Sequence, residues 1–116
     1  MSARHDFEIS QGSTFHKTVR YRPSNGGDFT GYGARLIANS GSVTVLNLTP
    51  GEGITCTPGV NELEVSIDIA ATDTALLNFK KASYELKLYV GSWVSEPILK
   101  GTIKLDLQED VNEVSP

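Results

Sequence analysis

The chain has 116 residues, of which 39% are hydrophobic and 21% are charged, and these values fit one globular domain with a single core. A formal net charge of −4 disfavours nucleic acid as a partner, because the chain has no basic excess to attract phosphates. Its single cysteine excludes an internal disulfide, and no apolar run approaches the roughly 20 residues that cross a membrane as a helix. Residues 1–10 lack the apolar segment of a signal peptide, which predicts a cytoplasmic protein that starts near Met1.

The N-terminal quarter is predicted to contain two strands. Residues 1–5 show no periodic apolar signal and are expected to form a flexible arm before the domain, which we assign to residues 6–108. Phe7 and Ile9 begin a short first strand, and Phe15 to Tyr21 alternates between an apolar and a basic face. The loop that follows is rich in Pro, Asn, Gly and Asp, which reverse the chain.

The middle of the chain is predicted to form short strands separated by turns. Tyr32 to Ala38 and Val43 to Leu48 form a predicted hairpin, and Ile54 to Thr57 is a short strand. Glu62 to Ile69 shows the sharpest alternation of apolar and polar residues, which predicts a half-buried strand.

The segment from Ala70 to Phe79 departs from this period of two. Thr72 is placed to cap a helical turn, and Leu76, Leu77 and Phe79 supply apolar anchors at mixed spacing. We expect one or two helical turns that cross from sheet to sheet.

Two alternating runs close the domain. Ala82 to Val90 and Ile98 to Leu107 predict a β-hairpin that forms the central wall of the domain. Residues 109–116 are acidic and carry too weak an apolar pattern for a strand, so they are assigned to a C-terminal tail that is free to dock on a partner.

These elements predict an all-β, immunoglobulin-like β-sandwich. It has about seven or eight short antiparallel strands, with a short helical turn between the strands near 63–69 and 83–90. Tyr84 resembles the tyrosine of the corner found in such folds, whose hydroxyl returns to the backbone a few residues upstream. Leu86 then takes the position of the usual second cysteine.

No set of residues indicates an enzyme, a metal site or a cofactor. His16 is expected on a solvated strand face, and the carboxylates of Glu62, Glu64 and Asp68 on an outer face. Cys56 is interpreted as a small apolar filler or a free surface thiol. We therefore predict a protein without catalytic residues, metal or cofactor.

Candidate partner contacts lie at the tip of the last hairpin and on the second strand. Trp93, with Val94 and Tyr89, either presents an aromatic surface to a partner or folds back over the end of the sandwich. Arg20 and Arg22 form, together with Arg35, either a basic patch on one sheet that pairs with an acidic neighbour or a solvated face.

Six short segments occur in a characteristic order and spacing between about Phe7 and Leu107. They are QGSTF at 11–15, FTGYGAR at 29–35, GI at 53–54, IAATDTAL at 69–76, YEL at 84–86 and LKGTI at 99–103. In this succession the chain resembles a family of small tailed-bacteriophage virion proteins with an immunoglobulin-like fold, related to the N-terminal domains of baseplate upper proteins. It departs from the family pattern at Phe29 and Gly33, where Leu and Thr are usual.

The resemblance implies a non-enzymatic structural component of a virion, made in the host cytoplasm and present in multiple symmetric copies. Its expected partners are neighbouring tail or baseplate proteins. A capsid decoration protein is the first alternative. The second is a module for adhesion to host-surface glycans, in which Trp93 and Tyr89 form a stacking pair.

Overall fold

The computed structural model describes residues 3–106, so the acidic tail predicted at residues 109–116 lies outside it. Along the chain, its elements are β1 (Ala3–Arg4), β2 (Phe7–Ser10), β3 (Phe15–Tyr21), β4 (Gly33–Ser40), β5 (Val43–Pro50), β6 (Gly53–Gly59), β7 (Glu62–Ile69), α1 (Ala71–Thr74), β8 (Lys81–Val90), β9 (Trp93–Val94) and β10 (Leu99–Asp106).

The strands form the two sheets of an immunoglobulin-like β-sandwich, as the sequence predicts. One sheet has the order β2–β10–β8–β4–β5, with β1 beside the start of β10 and β9 beside the end of β8. The other has the order β3–β7–β6. A short parallel pairing of Thr49 with Gly53 joins β5 to β6 at one edge. Buried side chains of both sheets form a single cluster, so the core lies between them.

Alternation along the strands decides which side chains enter this core. In β7, Leu63, Val65, Ile67 and Ile69 are all buried, while the residues between them face outward or are half-buried. Successive side chains of a strand point to opposite faces, so one run of period two supplies a complete apolar face. Each such side chain stabilises the fold by about 1.5–3 kcal/mol through burial.

The predicted C-terminal hairpin is confirmed over its described part. β8 and β10 pair antiparallel, with Leu86 opposite Leu99 and Ala82 opposite Ile103. On its other side β8 pairs with β4, which places it in the centre of its sheet. The hairpin therefore does form the central wall of the domain.

The N-terminal segment differs from the sequence prediction. Ala3–Arg4 forms β1, parallel to β10, and the backbone N–H of His5 donates to the carbonyl of Lys100 at 2.9 Å. Residues 3–5 are therefore part of the sheet and not a flexible arm. Strand pairing needs only backbone groups, so a polar segment joins the sheet without any apolar alternation. β1 and β2 both run parallel to β10, beside the antiparallel pairings that the sequence predicts.

Tyr84 closes this N-terminal segment onto the sheet. Its side chain is 1% exposed, its ring stacks on Phe7 at a centroid distance of 4.8 Å, and its hydroxyl donates to the carbonyl of His5. The tyrosine-corner interpretation is therefore wrong, since the acceptor lies in the N-terminal segment and not a few residues upstream. Gly101 makes room for this approach, because a Cβ there would lie 2.2 Å from the His5 carbonyl oxygen.

The short helix confirms the predicted helical turn but not its cap. α1 begins after Ala70, which has no side-chain oxygen, so Thr72 does not cap the helix. Thr74 instead is fully buried at 0% exposure. Its hydroxyl accepts a hydrogen bond from the N–H of Gly12 at 3.0 Å and donates to the carbonyl of Ser13 at 2.8 Å. It thereby fixes the β2–β3 turn against the crossover between the sheets.

The apolar anchors after the helix behave differently from one another. Phe79 is buried and Leu77 is half-buried against the core, as expected. Leu76 is 81% exposed, so its assignment as an anchor is wrong. The helix ends after one turn, and the side chain of Leu76 is therefore not carried round to the core by a second turn.

Substitution of Tyr84 by Phe tests the contribution of the hydrogen bond between Tyr84 and the N-terminal segment. We expect Tyr84→Phe to lower the free energy of unfolding by about 1–2 kcal/mol, because a buried hydroxyl and the carbonyl of His5 lose their hydrogen bond. Tyr89→Phe, which changes a half-buried tyrosine of the same strand, is the matched control with an expected change within about 0.5 kcal/mol. Urea unfolding measures both, and equal effects of the two variants would contradict the role of Tyr84.

The pH dependence of stability provides a second test. Burial, followed by the negative charge of Asp6, raises the pKa of Tyr84 well above its ordinary value of about 10. Because the pKa of Tyr84 is higher in the folded state than in the unfolded state, the stabilisation that its protonated hydroxyl contributes is complete below about pH 10. It declines as the pH rises further. In urea unfolding between pH 8 and 11, the free energy of unfolding of the wild type should exceed that of Tyr84→Phe by a margin that shrinks above about pH 10. The decrease is up to about 1.4 kcal/mol per pH unit. A constant difference would contradict the burial of a protonated phenol.

Candidate functional site

Four aromatic rings form a continuous chain across one end of the sandwich. Tyr21 at the end of β3 contacts Phe29 at a centroid distance of 5.6 Å, and Phe29 contacts Tyr32 at 5.2 Å. Tyr32 in turn contacts Trp93 of β9 at 6.1 Å. All three contacts are edge-to-face, with interplanar angles of 70–76°, an arrangement that stabilises ring pairs by about 0.5–1.5 kcal/mol. We call these four residues the aromatic chain. It connects the two sheets.

The loop between β3 and β4 carries the middle of the aromatic chain, and its shape depends on two glycines. Gly26 and Gly27 have φ values of 67° and 146°, in the region that favours glycine. The N–H of Gly27 donates to the side-chain oxygen of Asn61 at 3.3 Å, and a Cβ on Gly26 would approach the same oxygen to 2.7 Å. Asn61 in the β6–β7 turn therefore holds the loop closely, and the loop holds Phe29 in a buried position.

A cleft of about 270 Å³ lies between this loop and the tip of the β8–β9 hairpin. Its lining, within the described part of the chain, consists of Tyr21, Pro23, Asn25, Gly26, Gly27, Asp28, Phe29, Tyr32, Leu88, Trp93 and Ser95. Asp28 is the charged residue among them. Thr30 donates its hydroxyl and its backbone N–H to Oδ1 of Asp28, at 2.8 and 3.0 Å. These hydrogen bonds lower the pKa of Asp28, so the carboxylate is charged at neutral pH.

Trp93 is held on one side and open on the other. Its side chain and that of Val94 are 52% and 50% exposed. The strand that carries them is anchored after its end, because the Ser95 N–H donates to the carbonyl of Leu88 at 2.8 Å and the Ser95 hydroxyl accepts from the Leu88 N–H at 2.9 Å. The ring rests on Tyr32 and still presents a surface to solvent, and contact of that surface with a partner stays a prediction.

Tyr89 does not join Trp93. In the pairing of β8 with β9, Tyr89 lies opposite Val94 and Val90 lies opposite Trp93. Opposed residues share a face and neighbours along a strand do not, so Tyr89 and Trp93 point to opposite faces. The predicted stacking pair of these two residues is therefore wrong. Tyr89 covers Gly33 instead, where a Cβ would lie 2.6 Å from its ring.

The two arginines at the end of β3 are paired within the chain. Arg20 of β3 contacts Glu64 at 3.5 Å across the β3–β7 pairing, and Arg22, one residue after β3, contacts Glu62 at 2.9 Å. Arg35 lies in β4 of the other sheet, so the predicted patch of three arginines on one sheet is wrong. Exposed ion pairs contribute about 0–1 kcal/mol each and remain accessible to partners. A role for Arg20 and Arg22 in partner contact stays a prediction.

The remaining candidates offer less chemistry. Cys56 is half-buried and unpaired with another cysteine, and its burial raises the pKa of the thiol. Within residues 3–106, no group of three His, Cys, Asp or Glu side chains is placed to hold a metal ion. The same residues contain no helix that is long and apolar enough to cross a membrane.

Comparison with known proteins gives similarities to solved structures alone. No protein-family model and no curated protein matches the chain. Among solved structures, it is similar to a chimeric titin Z1Z2 protein functionalized with an exogenous KLER peptide from decorin. The identity is 15% and the TM-score 0.40, over 89% of this chain and 88% of that one. The assignment of the fold is based on the strand order and register of this chain.

The sequence points to Trp93 but not to the residues around it. Asp28 and Phe29 lie at the end of a glycine-rich loop, where no periodic pattern assigns a residue to a face, and the pattern places Tyr32 on a strand face. A signal is nevertheless present within the FTGYGAR segment, where Phe29 and Gly33 depart from the pattern that the chain resembles. Phe29 lies in the aromatic chain, and Gly33 accommodates Tyr89.

Fluorescence of Trp93, the single tryptophan of the chain, tests its support by Tyr32. We expect Tyr32→Leu to increase acrylamide quenching of Trp93 by about half, because the indole loses the ring that covers one of its sides. Tyr89→Leu, which changes the tyrosine on the opposite face, should leave the quenching nearly unchanged. Equal quenching in both variants would contradict the described packing of Trp93.

Proposed function

We propose that this domain is a non-enzymatic structural component of a bacteriophage virion, and that it binds neighbouring tail or baseplate proteins. The proposal is supported by the ordered resemblance that extends from about Phe7 to Leu107. It is consistent with a fold in which the described side chains offer surfaces for contact and not a set of acid, base and nucleophile. Multiple symmetric copies and assembly from the host cytoplasm belong to the same proposal.

The observation that carries this function is the exposed pair Trp93 and Val94 at the end of the sandwich. Both side chains are about half exposed, Trp93 packs against Tyr32, and the backbone that follows is anchored at Ser95. A large aromatic side chain that is ordered before binding loses little conformational entropy when a partner covers it. Tryptophan is accordingly enriched among the residues that dominate protein interfaces.

The capsid alternative uses the same surface on a different neighbour. A glycan-binding module has weaker support, because the Tyr89–Trp93 stacking pair on which it depends does not exist in this fold. Tail or baseplate attachment and capsid decoration are therefore the two locations to distinguish.

Particles assembled without this chain, and then supplied with it, test the location and the contact together. Heads and tails are separated after assembly, and the copies of the chain in each fraction are counted by quantitative immunoblot. We expect the wild type in the tail fraction. Trp93→Ala should reduce its copies about tenfold or more, because truncation of an interface tryptophan commonly costs about 2 kcal/mol or more.

Two exposed valines supply a matched control. Val94 lies beside Trp93, whereas Val43 lies at the start of β5 and is also exposed. Val94→Ser should reduce incorporation more than Val43→Ser. The chain in the head fraction would instead identify a capsid decoration protein, and its absence from both fractions would overturn the structural role.

A further inference from the structure

The cleft at the aromatic chain is lined by groups that match a planar cation. Trp93 of β9 and Tyr32 of the β3–β4 loop contribute aromatic rings to its lining, and Asp28 of the same loop contributes a carboxylate. The rings of aromatic residues attract cations through their negative faces, and a nearby carboxylate strengthens the attraction. No lysine, arginine or histidine is among the described residues that line the cleft. The charge of the described lining is therefore negative, which favours a positively charged occupant.

The size of the cleft limits what enters it. Its volume of about 270 Å³ lies below the roughly 300–1,000 Å³ that is typical of sites for small organic ligands. One side chain of a partner protein fits this scale better than a cofactor does. The chain itself carries a formal net charge of −4, which also favours a basic partner segment.

An arginine next to the cleft residue Tyr21 in sequence does not supply this cation. Arg22 follows Tyr21 directly, but its guanidinium Nε donates to Glu62 at 2.9 Å on the outer face of the other sheet. Asp28 is fixed separately, because both hydrogen bonds from Thr30 go to its Oδ1. The carboxylate is thus oriented by its own loop before any partner arrives.

We propose that this cleft binds an arginine side chain of a partner protein. The guanidinium packs against the rings of Tyr32 and Trp93 on one side and pairs with the carboxylate of Asp28 on the other. Arginine fits better than lysine, because a planar guanidinium stacks on an aromatic ring and presents a fork of N–H donors to a carboxylate. The inference rests on the proposed function in one respect, namely that the ligand belongs to a protein. It concerns the isolated domain and is tested without particles.

The test is a titration of the full chain with two blocked tripeptides, Gly-Arg-Gly and Gly-citrulline-Gly, followed by the emission of Trp93. Citrulline has nearly the shape of arginine and no charge. We expect a saturable change with the arginine peptide and at least fivefold weaker binding of the citrulline peptide. Asp28→Asn keeps an acceptor for Thr30 and should weaken the arginine peptide by about fivefold, whereas Glu85→Gln on the outer face of β8 should not.

Equal binding of the two peptides by the wild type would overturn the proposal, and this comparison needs no variant to fold. A saturable emission change with neutral sugars that displaces the arginine peptide would overturn it in favour of glycan recognition. Failure of the peptide titration leaves incorporation into particles as a separate result. Incorporation can likewise fail while the arginine peptide still binds, so the two proposals fail independently.

Discussion

The hydrogen bond from Tyr84 to the carbonyl of His5 is the interaction on which the arrangement of the β2–β10–β8–β4–β5 sheet depends. It joins the buried centre of β8 to the N-terminal segment, which runs beside β10 and whose sequence has few apolar residues before Phe7. Gly101 is the steric counterpart, because any side chain there would occupy the place of the His5 carbonyl. A hydroxyl on one strand and a missing Cβ on the next together position a segment that hydrophobic burial alone would leave unplaced.

The parts of the fold that follow from burial are predictable from the sequence. The alternation in β7 and the β8–β10 hairpin are predicted correctly, because each buried face repeats every second residue. β7 and β8 are also central strands of their sheets. The parts that follow from backbone and polar contacts are not predictable in this way. β1 pairs through backbone groups that any sequence possesses, and Thr74 acts through a hydroxyl whose partners lie about 60 residues away. Local patterns contain no information about such distant partners.

The same division explains the candidate site. Trp93 is identifiable because a tryptophan at a hairpin tip has few neighbours in sequence to cover it. The sequence pattern assigns Tyr32 to a strand face, whereas β4 begins only at Gly33, and the Tyr32 ring is instead held in the loop by contact with Phe29. That contact depends on Gly26 and Asn61, which come from different turns. The aromatic chain is therefore a product of tertiary structure, and each of its rings alone resembles an ordinary core or loop residue.

The stability of the fold and the proposed recognition depend on different atoms at this end of the domain. Phe29 is buried and fixes the loop, so its substitution would disturb both the core and the cleft. Trp93 and Asp28 contribute exposed surface and charge, and they lie in a two-residue strand and a loop that the main strand pairings do not require. Changes at these two positions can alter the chemistry of the cleft while the Tyr84–His5 hydrogen bond and the buried face of β7 remain intact. Under the proposed function, a sandwich built in this way keeps one fold while the chemistry of its cleft varies.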